Sequence, residues 1–291
     1  MSELNIFEIS FSNISGFYHV DSILQGQVTV ELNEPMKLRG ITLHFEGKAY
    51  VQWTETDSTG AGNRRGETDP YSSSEVYLNQ DSLLLGVFPN QGTSTVELAQ
   101  GRHVFPFQFQ IPQGLPSSFE DLHGHVRYTV QCTIDKPWKI DHTTKRPFTI
   151  LSMLDLNQMP DCLQRIEGTN QRTQCCCCCC CCCCGKSGPI QATFYVDRAG
   201  YVPGEAIRLF AEINNNSNQR IDKSYVDLKM MITYHSTTKS KMQFKEVARV
   251  TRPGIGAFGR DQWSGEVLVI PALPPSYLAG CRIIDIRYIL Q

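Results

Sequence analysis

The sequence predicts an all-β protein made of two antiparallel β-sandwich lobes, the second incomplete. Three observations predict it. Apolar and polar residues alternate with period two along many short segments, helical periodicity of any length is hard to find, and one ordered set of segments is written twice. Ile111-Pro112-Gln113-Gly114-Leu115-Pro116-Ser117-Ser118 follows an alternating run and leads to Val126-Arg127-Tyr128-Thr129-Val130. Ile270-Pro271-Ala272-Leu273-Pro274-Pro275-Ser276 follows another such run and leads to Ile286-Arg287-Tyr288-Ile289-Leu290. A chain of 291 residues has room for about two domains.

In the first half, Phe7, Ile9 and Phe11 mark one strand, followed by strands at 26–32 and 41–53. Residues 57–74, rich in Thr, Ser, Gly and charge, read as a long surface loop. Strands at 82–87, 103–111, 125–134 and 146–151 complete the unit, with Val104, Phe105, Phe107, Phe109 and Ile111 available to pack. In the second half, strands are expected at 192–196, 206–214, 225–235, 245–251, 263–270 and 281–290. The implied domains are 1–155, a linker at 156–188, and 189–291. The first copy runs on for about twenty residues beyond Arg127-Tyr128, whereas only three follow Arg287-Tyr288. A sandwich lacking a terminal strand exposes an edge, so a C-terminally truncated second lobe is expected.

Composition narrows the function classes. Apolar residues at 41% support ordinary cores, and a net charge of −2 without a basic block excludes broad attraction to nucleic acid. The start, Met1-Ser2-Glu3-Leu4, has neither the basic nor the apolar region of a signal peptide, and no apolar run is long enough for a membrane span. Of 13 cysteines, all but Cys132, Cys162 and Cys281 form one uninterrupted run. That run lacks the spacing of a disulfide framework and points to a reducing, cytosolic setting. The glycosylation sequons at Asn13 and Asn215 are then chance matches. No cofactor is implied.

Several longer motifs are shared with a known family. Gly26-Gln27-Val28-Thr29-Val30-Glu31-Leu32 with Pro35-Met36-Lys37-Leu38-Arg39-Gly40, and Phe45-Glu46-Gly47-Lys48-Ala49, are among them. So are the stretch 101–120, His123-Gly124-His125-Val126-Arg127-Tyr128, Lys136-Pro137-Trp138, Gly200-Tyr201-Val202-Pro203-Gly204-Glu205 and Cys281-Arg282-Ile283-Ile284. In these the chain resembles the α-arrestins, the arrestin-domain-containing proteins. The resemblance implies two sandwich lobes without catalysis and a cytoplasmic adaptor recruited to plasma membrane or endosomes. Its lobes would engage membrane-protein cargo tails in endocytosis and protein transport. Pro-Pro-x-Tyr motifs in the family's C-terminal tail recruit HECT-type ubiquitin ligases through WW domains. Arrestins that sense receptor phosphates carry lysines on the first strand, and residues 1–36 contain no Lys or Arg. An alternative is a cargo-binding or regulatory fragment without ligase recruitment.

Four motifs carry functional expectations beside plainer ones. Pro274-Pro275-Ser276-Tyr277 matches the WW-ligand pattern through Pro274, Pro275 and Tyr277, yet the repeat sets it opposite Leu115-Pro116-Ser117-Ser118, between two strands. Cys175, Cys176, Cys177, Cys178, Cys179, Cys180, Cys181, Cys182, Cys183 and Cys184 form either a linker tract without a role, an S-acylation site tethering the adaptor to membrane, or a thiolate metal site. Lys136, Lys139, Lys145 and Arg146 surround Trp138 on a hairpin, as a solvated loop or a contact for acidic cargo tails or anionic lipid. His123 and His125 share a face of an extended chain, but a third metal ligand is missing. Gly185-Lys186-Ser187 ends like a phosphate loop, with Cys180 where its first glycine belongs. No Gly-x-Ser-x-Gly places a nucleophile, so an enzyme has no motif behind it.

Overall fold

Alternating segments become strands throughout. The computed structural model describes residues 3–56, 68–89, 91–172 and 188–291. The first eleven strands are β1 (Leu4–Phe11), β2 (Phe17–His19), β3 (Ile23–Leu32), β4 (Met36–Leu38), β5 (Gly40–Thr56), β6 (Thr68–Gly86), β7 (Val96–Leu98), β8 (Gly101–Gln110), β9 (Phe119–Glu120), β10 (Gly124–Asp135) and β11 (His142–Leu151). Seven follow: β12 (Ile166–Arg172), β13 (Ile190–Val196), β14 (Ala206–Asn215), β15 (Ile221–His235), β16 (Ser240–Ile255), β17 (Arg260–Val269) and β18 (Ile284–Leu290). Among the described residues no helix is long and apolar enough to cross a membrane. The chain divides into two compact units. One comprises Met1–Met153, Ile232–Met242 and Pro274–Ile286, the other Leu154–Met231, Gln243–Leu273 and Arg287–Gln291.

The first unit holds a three-stranded sheet, β1-β3-β8, and a larger one, β2-β11-β10-β5-β6, with β9 on β10 and a small β4-β7 ribbon. Pairing is antiparallel except for β2 on β11. Side-chain alternation sends one face of each strand inward. Leu24, Val28 and Val30 of β3 and Leu43 and Phe45 of β5 are buried, as are Val126 and Val130 of β10 and Ile150 of β11. Phe45 stacks on Phe109 at 4.0 Å between ring centroids and meets Phe107 edge-on. Val104 does not join them: it faces solvent, because alternation brings Phe105, Phe107 and Phe109 to the inner side.

One contact in this core requires glycine. A Cβ at Gly47 would collide with the Tyr128 ring, which fills the space above the β5 backbone. Tyr128 is buried there, and its hydroxyl donates to the Pro116 carbonyl at 2.7 Å. The aromatic of the repeated Arg-Tyr pair thus ties the proline-rich connection to the sheet.

In the second unit, β12-β13-β14-β17 form one sheet, and β16-β15-β18, most of whose residues belong to this unit, follow the order of β6-β5-β10 in the first copy. Val196, Ile207, Leu209, Val226, Leu228, Trp263, Leu268 and Ile270 make its core. β11 flanks β10, but among the described strands nothing flanks β18 on the corresponding side.

Three expectations need correction. Residues 68–74 are not loop: they open β6 and pair with 50–56 of β5, and Tyr71 stacks on Trp53 at 5.6 Å. Serine-rich polarity hid a strand that only pairing and one aromatic stack reveal. The remainder of the expected loop, 57–67, lies outside the described residues. Ile166–Arg172, inside the expected linker, is a strand on β13 with every residue exposed, so it carries no apolar period to read. The expected strand at 245–251 is only part of β16, whose first residues, Ser240–Gln243, hold a single apolar side chain, Met242, too few for a hydrophobic period.

Gly47→Ala should lower stability by about 1–3 kcal/mol through overpacking. Tyr128→Phe should lower it by about 1–2 kcal/mol through the lost buried hydrogen bond. Urea unfolding of both variants measures this, and a change under a few tenths in either would contradict the packing described. A fragment of residues 189–291 would also be cut off from the unit in which Ile232–Met242 and Pro274–Ile286 pack. Its melting temperature should lie below that of a fragment of residues 1–155, by calorimetry on each.

Candidate functional site

The hairpin joining β10 to β11 carries the basic residues singled out from the sequence. Its turn is closed by the Asp141 carboxylate, which accepts from the Lys136 backbone N–H at 3.1 Å. Trp138 sits at the tip with φ 62° and its ring fully exposed, and Ile140 is exposed beside it. Beneath the tip, Lys136 is buried and donates to Glu3 at 3.1 Å and to the His142 ring nitrogen Nε2 at 2.8 Å. Lys139 also pairs with Glu3. Hydrogen bonds from Lys139 and then Lys136 hold the Glu3 carboxyl below the usual carboxylate range. His142 is kept below its ordinary value by burial and then by Lys136, which favours the neutral ring that accepts the hydrogen bond from Lys136.

The other two basic residues also have partners within the fold. Lys145 donates to Glu46 at 3.2 Å, and Lys48 reaches the same carboxylate at 3.1 Å. Burial works upward at Glu46, yet these two lysines bring its pKa below the ordinary range. Arg146 donates to the Ile9 carbonyl of β1 at 2.6 Å, and its guanidinium lies 4.8 Å from the Phe11 ring centre. Phe11, Tyr18 and Phe148 meet edge-to-face around that point. The hairpin therefore joins β11 to β1, and Glu3 and Glu46 balance its positive charge locally.

Pro274-Pro275-Ser276-Tyr277 lies between β17 and β18. Pro275 has φ −65° and ψ 152°, which is polyproline II geometry, but Ser276–Leu278 form a 3-10 turn and Tyr277 adopts φ 67°. Tyr277 is exposed, both prolines are half-buried and Leu278 is fully buried. The extended run required of a WW ligand therefore bends at its tyrosine.

His123 and His125 come to lie against aromatic rings. His123 meets Tyr234 edge-on at 5.6 Å, and His125 lies 5.9 Å from Tyr50. Burial and then Arg127 keep His125 below its ordinary pKa. Among the described residues no group of three His, Cys, Asp or Glu could hold a metal. The tract Cys175–Cys184 and the segment Gly185-Lys186-Ser187 lie outside the described residues. Cys132 is fully buried, and burial pushes its thiol up to about 12.

Two local signals were open to a closer reading of the sequence. Asn215, half of a sequon, is buried and donates to the carbonyls of Gln219 and Gly256 while accepting from Ser217. Asn13 likewise accepts from Ser15 in a turn, so both Asn-x-Ser patterns record Asx-turn chemistry.

Two sandwich units built on one strand order define a class of tandem β-sandwich proteins. The model for "Arrestin (or S-antigen), N-terminal domain" matches residues 7–157, and that for "Arrestin (or S-antigen), C-terminal domain" matches residues 186–291. The chain belongs to the arrestin family, and its relatives are arrestin domain-containing proteins, the α-arrestins. It is 32% identical over 277 residues to arrestin domain-containing protein 4 of Mus musculus, covering 94% of this chain and 64% of that protein. It is 33% identical over 295 residues to arrestin domain-containing protein 1 of Homo sapiens, covering 100% of this chain and 61% of the relative. Arrestin domain-containing protein 17 of Caenorhabditis elegans is 27% identical over 300 residues, covering 100% of this chain and 67% of that protein. The chain thus spans about two thirds of these relatives' length or slightly less.

Burial makes both hairpin-end histidines prefer the neutral form, whereas the unfolded chain takes up protons below about pH 6.5. Stability should therefore fall as pH drops from 7 through 6.5 and beyond. A second loss should begin near pH 4.5, as the unfolded carboxylates protonate before Glu3 and Glu46. Replacing His125 and His142 together by Gln should flatten the first loss and leave the second, read from urea midpoints between pH 7 and 3.5.

Proposed function

We propose that the chain is a non-enzymatic trafficking adaptor that binds membrane-protein cargo in endocytosis and protein transport. It would work in the cytoplasm and at plasma or endosomal membranes. The observation that carries this reading is the pair of arrestin-domain matches, which together take in nearly the whole chain. Tandem sandwiches offer strand edges and loops rather than a pocket, which suits the binding of extended tails. In the ubiquitin-linked form of this reading, Pro274, Pro275 and Tyr277 recruit a HECT-type ligase through its WW domains. Acylation of the Cys175–Cys184 tract would add membrane residence, since two or more acyl chains anchor firmly where one does not.

A second reading, a cargo-binding module without a ligase arm, is favoured by one observation. The Pro-Pro-Ser-Tyr segment turns at Tyr277 instead of remaining extended. The folded chain should bind a WW-domain array at least about tenfold more weakly than a free peptide of residues 270–281, the gap being the cost of opening the turn. Equal binding, abolished by Tyr277→Ala, would instead establish the ligase-recruiting form. Cargo binding is tested by pull-down of immobilised cytosolic tails with the whole chain, and failure to retain any tail would remove the adaptor reading itself.

A further inference from the structure

The hairpin between β10 and β11 holds two large apolar side chains out in water at its tip. Residues 136–141 connect Asp135 to His142, and the Asp141 carboxylate closes the turn on the Lys136 backbone N–H. Lys136 is buried, so the protruding part is Pro137-Trp138-Lys139-Ile140-Asp141. Trp138 is fully exposed, and Ile140 is 90% exposed. Apolar residues exposed singly are ordinary on a protein surface, and Phe258, between Ala257 and Gly259 at another turn, is exposed in that way. Two on one short tip form a patch.

The backbone there favours a smaller residue. Trp138 has φ 62°, a left-handed conformation that Gly adopts freely and a bulky side chain adopts at a cost. With the ring fully exposed, burial in the folded chain does not offset that cost. The tip is nevertheless firmly based. Beneath it, Lys136 donates to Glu3 at 3.1 Å and to His142 at 2.8 Å, which ties the hairpin to the residue just before β1.

Size and charge select the partner. An aromatic side chain offers about 150–250 Å². Even with Ile140 beside it, the tip falls short of the ~800 Å² per partner that a stable protein interface needs. A lipid interface instead surrounds a protruding tip and covers both side chains from every direction. Trp, apolar in its ring and polar at its N–H, is enriched at that depth. The charges nearby do not favour an anionic partner. Lys136 and Lys139 both pair with Glu3, Asp141 is exposed at the turn, and Glu34 adds negative potential at Lys139. Lys139 lies between the two apolar residues in sequence but turns its ammonium back to Glu3, and a long stem of this kind keeps its charge out of an apolar layer.

We propose that Trp138 and Ile140 are a membrane contact, a hairpin tip that enters the interfacial layer of a bilayer by apolar partition and without regard to lipid charge. Resting on the adaptor reading for its place at a membrane, this gives the chain a lipid contact separate from cargo. A single acyl chain anchors only marginally, and two side chains bury less apolar surface than that. The contact is therefore weak and reversible alone, and it strengthens the hold on a membrane-borne tail by making the second binding step local.

The test uses the whole chain with phosphatidylcholine vesicles, with and without phosphatidylserine. Of its 3 tryptophans, Trp53 and Trp263 are buried, so a blue shift of the emission on adding vesicles reports Trp138. The shift should appear with both vesicles by about 10 mM lipid. It should change by less than about twofold as ionic strength rises from about 0.1 to about 0.5 M. Co-sedimentation with vesicles should fall at least about tenfold for Trp138→Gly, and by a smaller factor for Ile140→Ser. Glycine suits the left-handed backbone, so Trp138→Gly should unfold at the same temperature or a higher one. A lower temperature would return the ring to a structural role and overturn the proposal. So would no shift at that lipid concentration, a shift that needs phosphatidylserine and vanishes at high salt, unchanged sedimentation of both variants, or a shift caused by an acidic peptide and not by vesicles. Those outcomes leave the adaptor reading standing if tails are still retained in the pull-down. Vesicle binding through Trp138 with no tail retained would remove the adaptor reading and keep the lipid contact.

Discussion

The pairing of β10 on both of its sides constrains the rest of the first unit. β5 runs along one side from Gly124↔Val51 to Asp135↔Gly40, and β11 along the other from Tyr128↔Phe148 to Ile134↔His142. A strand bonded on both sides has no freedom of register, because a slip by one residue would turn Val126, Tyr128 and Val130 out of the core. Gly47 then has to lack a side chain, since the Tyr128 ring lies where its Cβ would be. The end of β11 in turn fixes the connection before β10. Ser118 N–H donates to the Ile150 carbonyl at 2.8 Å, Ile150 N–H to the Ser118 hydroxyl at 3.0 Å, and Ser152 N–H to the Ser117 hydroxyl at 2.8 Å. The repeated Ile-Pro…Pro-Ser phrase thus exists, in its first copy, to dock a loop on β11.

The second copy shows what the phrase does without that partner. No described strand lies beside β18 as β11 lies beside β10, and the equivalent serine, Ser276, starts a 3-10 turn instead. Tyr288 keeps the position of Tyr128 but reaches the Met230 sulfur at 3.5 Å, a weak acceptor, and is only half-buried. Burial still raises the pKa of both phenols. The Pro-Pro-x-Tyr pattern at that point belongs to a turn, and its letters alone do not distinguish a turn from a ligand.

Much of the fold was legible because its main strands are long and one-sided. β3, β8, β10 and β14 show an apolar period that survives in isolation, and the doubled phrase ordered them. β2, β4, β7 and β9 have two or three residues each, too few for a period to register. The start of β6 and all of β12 were hidden for a different reason: their side chains are polar, and backbone pairing with a neighbour makes them strands. At the hairpin, sequence identified the basic residues but not their neutralisation. Glu3 lies 133 residues before Lys136 and Glu46 lies 99 before Lys145, separations that no local pattern encodes. The buried Asn215 turn was readable from its Asn-x-Ser spacing, but the same letters also spell a sequon.

That contrast bears on how a binding protein of this kind is recognised. Catalysis leaves a signature because nucleophile, base and orienting group are specific side chains held within hydrogen-bond reach. Recognition through a strand edge uses N–H and C=O groups that every non-proline residue has, so selection acts on what is kept away from the edge. In this chain the two corresponding edge strands, β6 and β16, differ in the charges they carry. β16 bears Lys241, Lys245, Arg249 and Arg252, whereas β6 has no Lys or Arg of its own and meets Lys239 at Tyr71 and Arg282 at Glu75. Each of those residues is ordinary when read singly. Only the repeat, which sets the two edges in equivalent places, brings the difference between them into view.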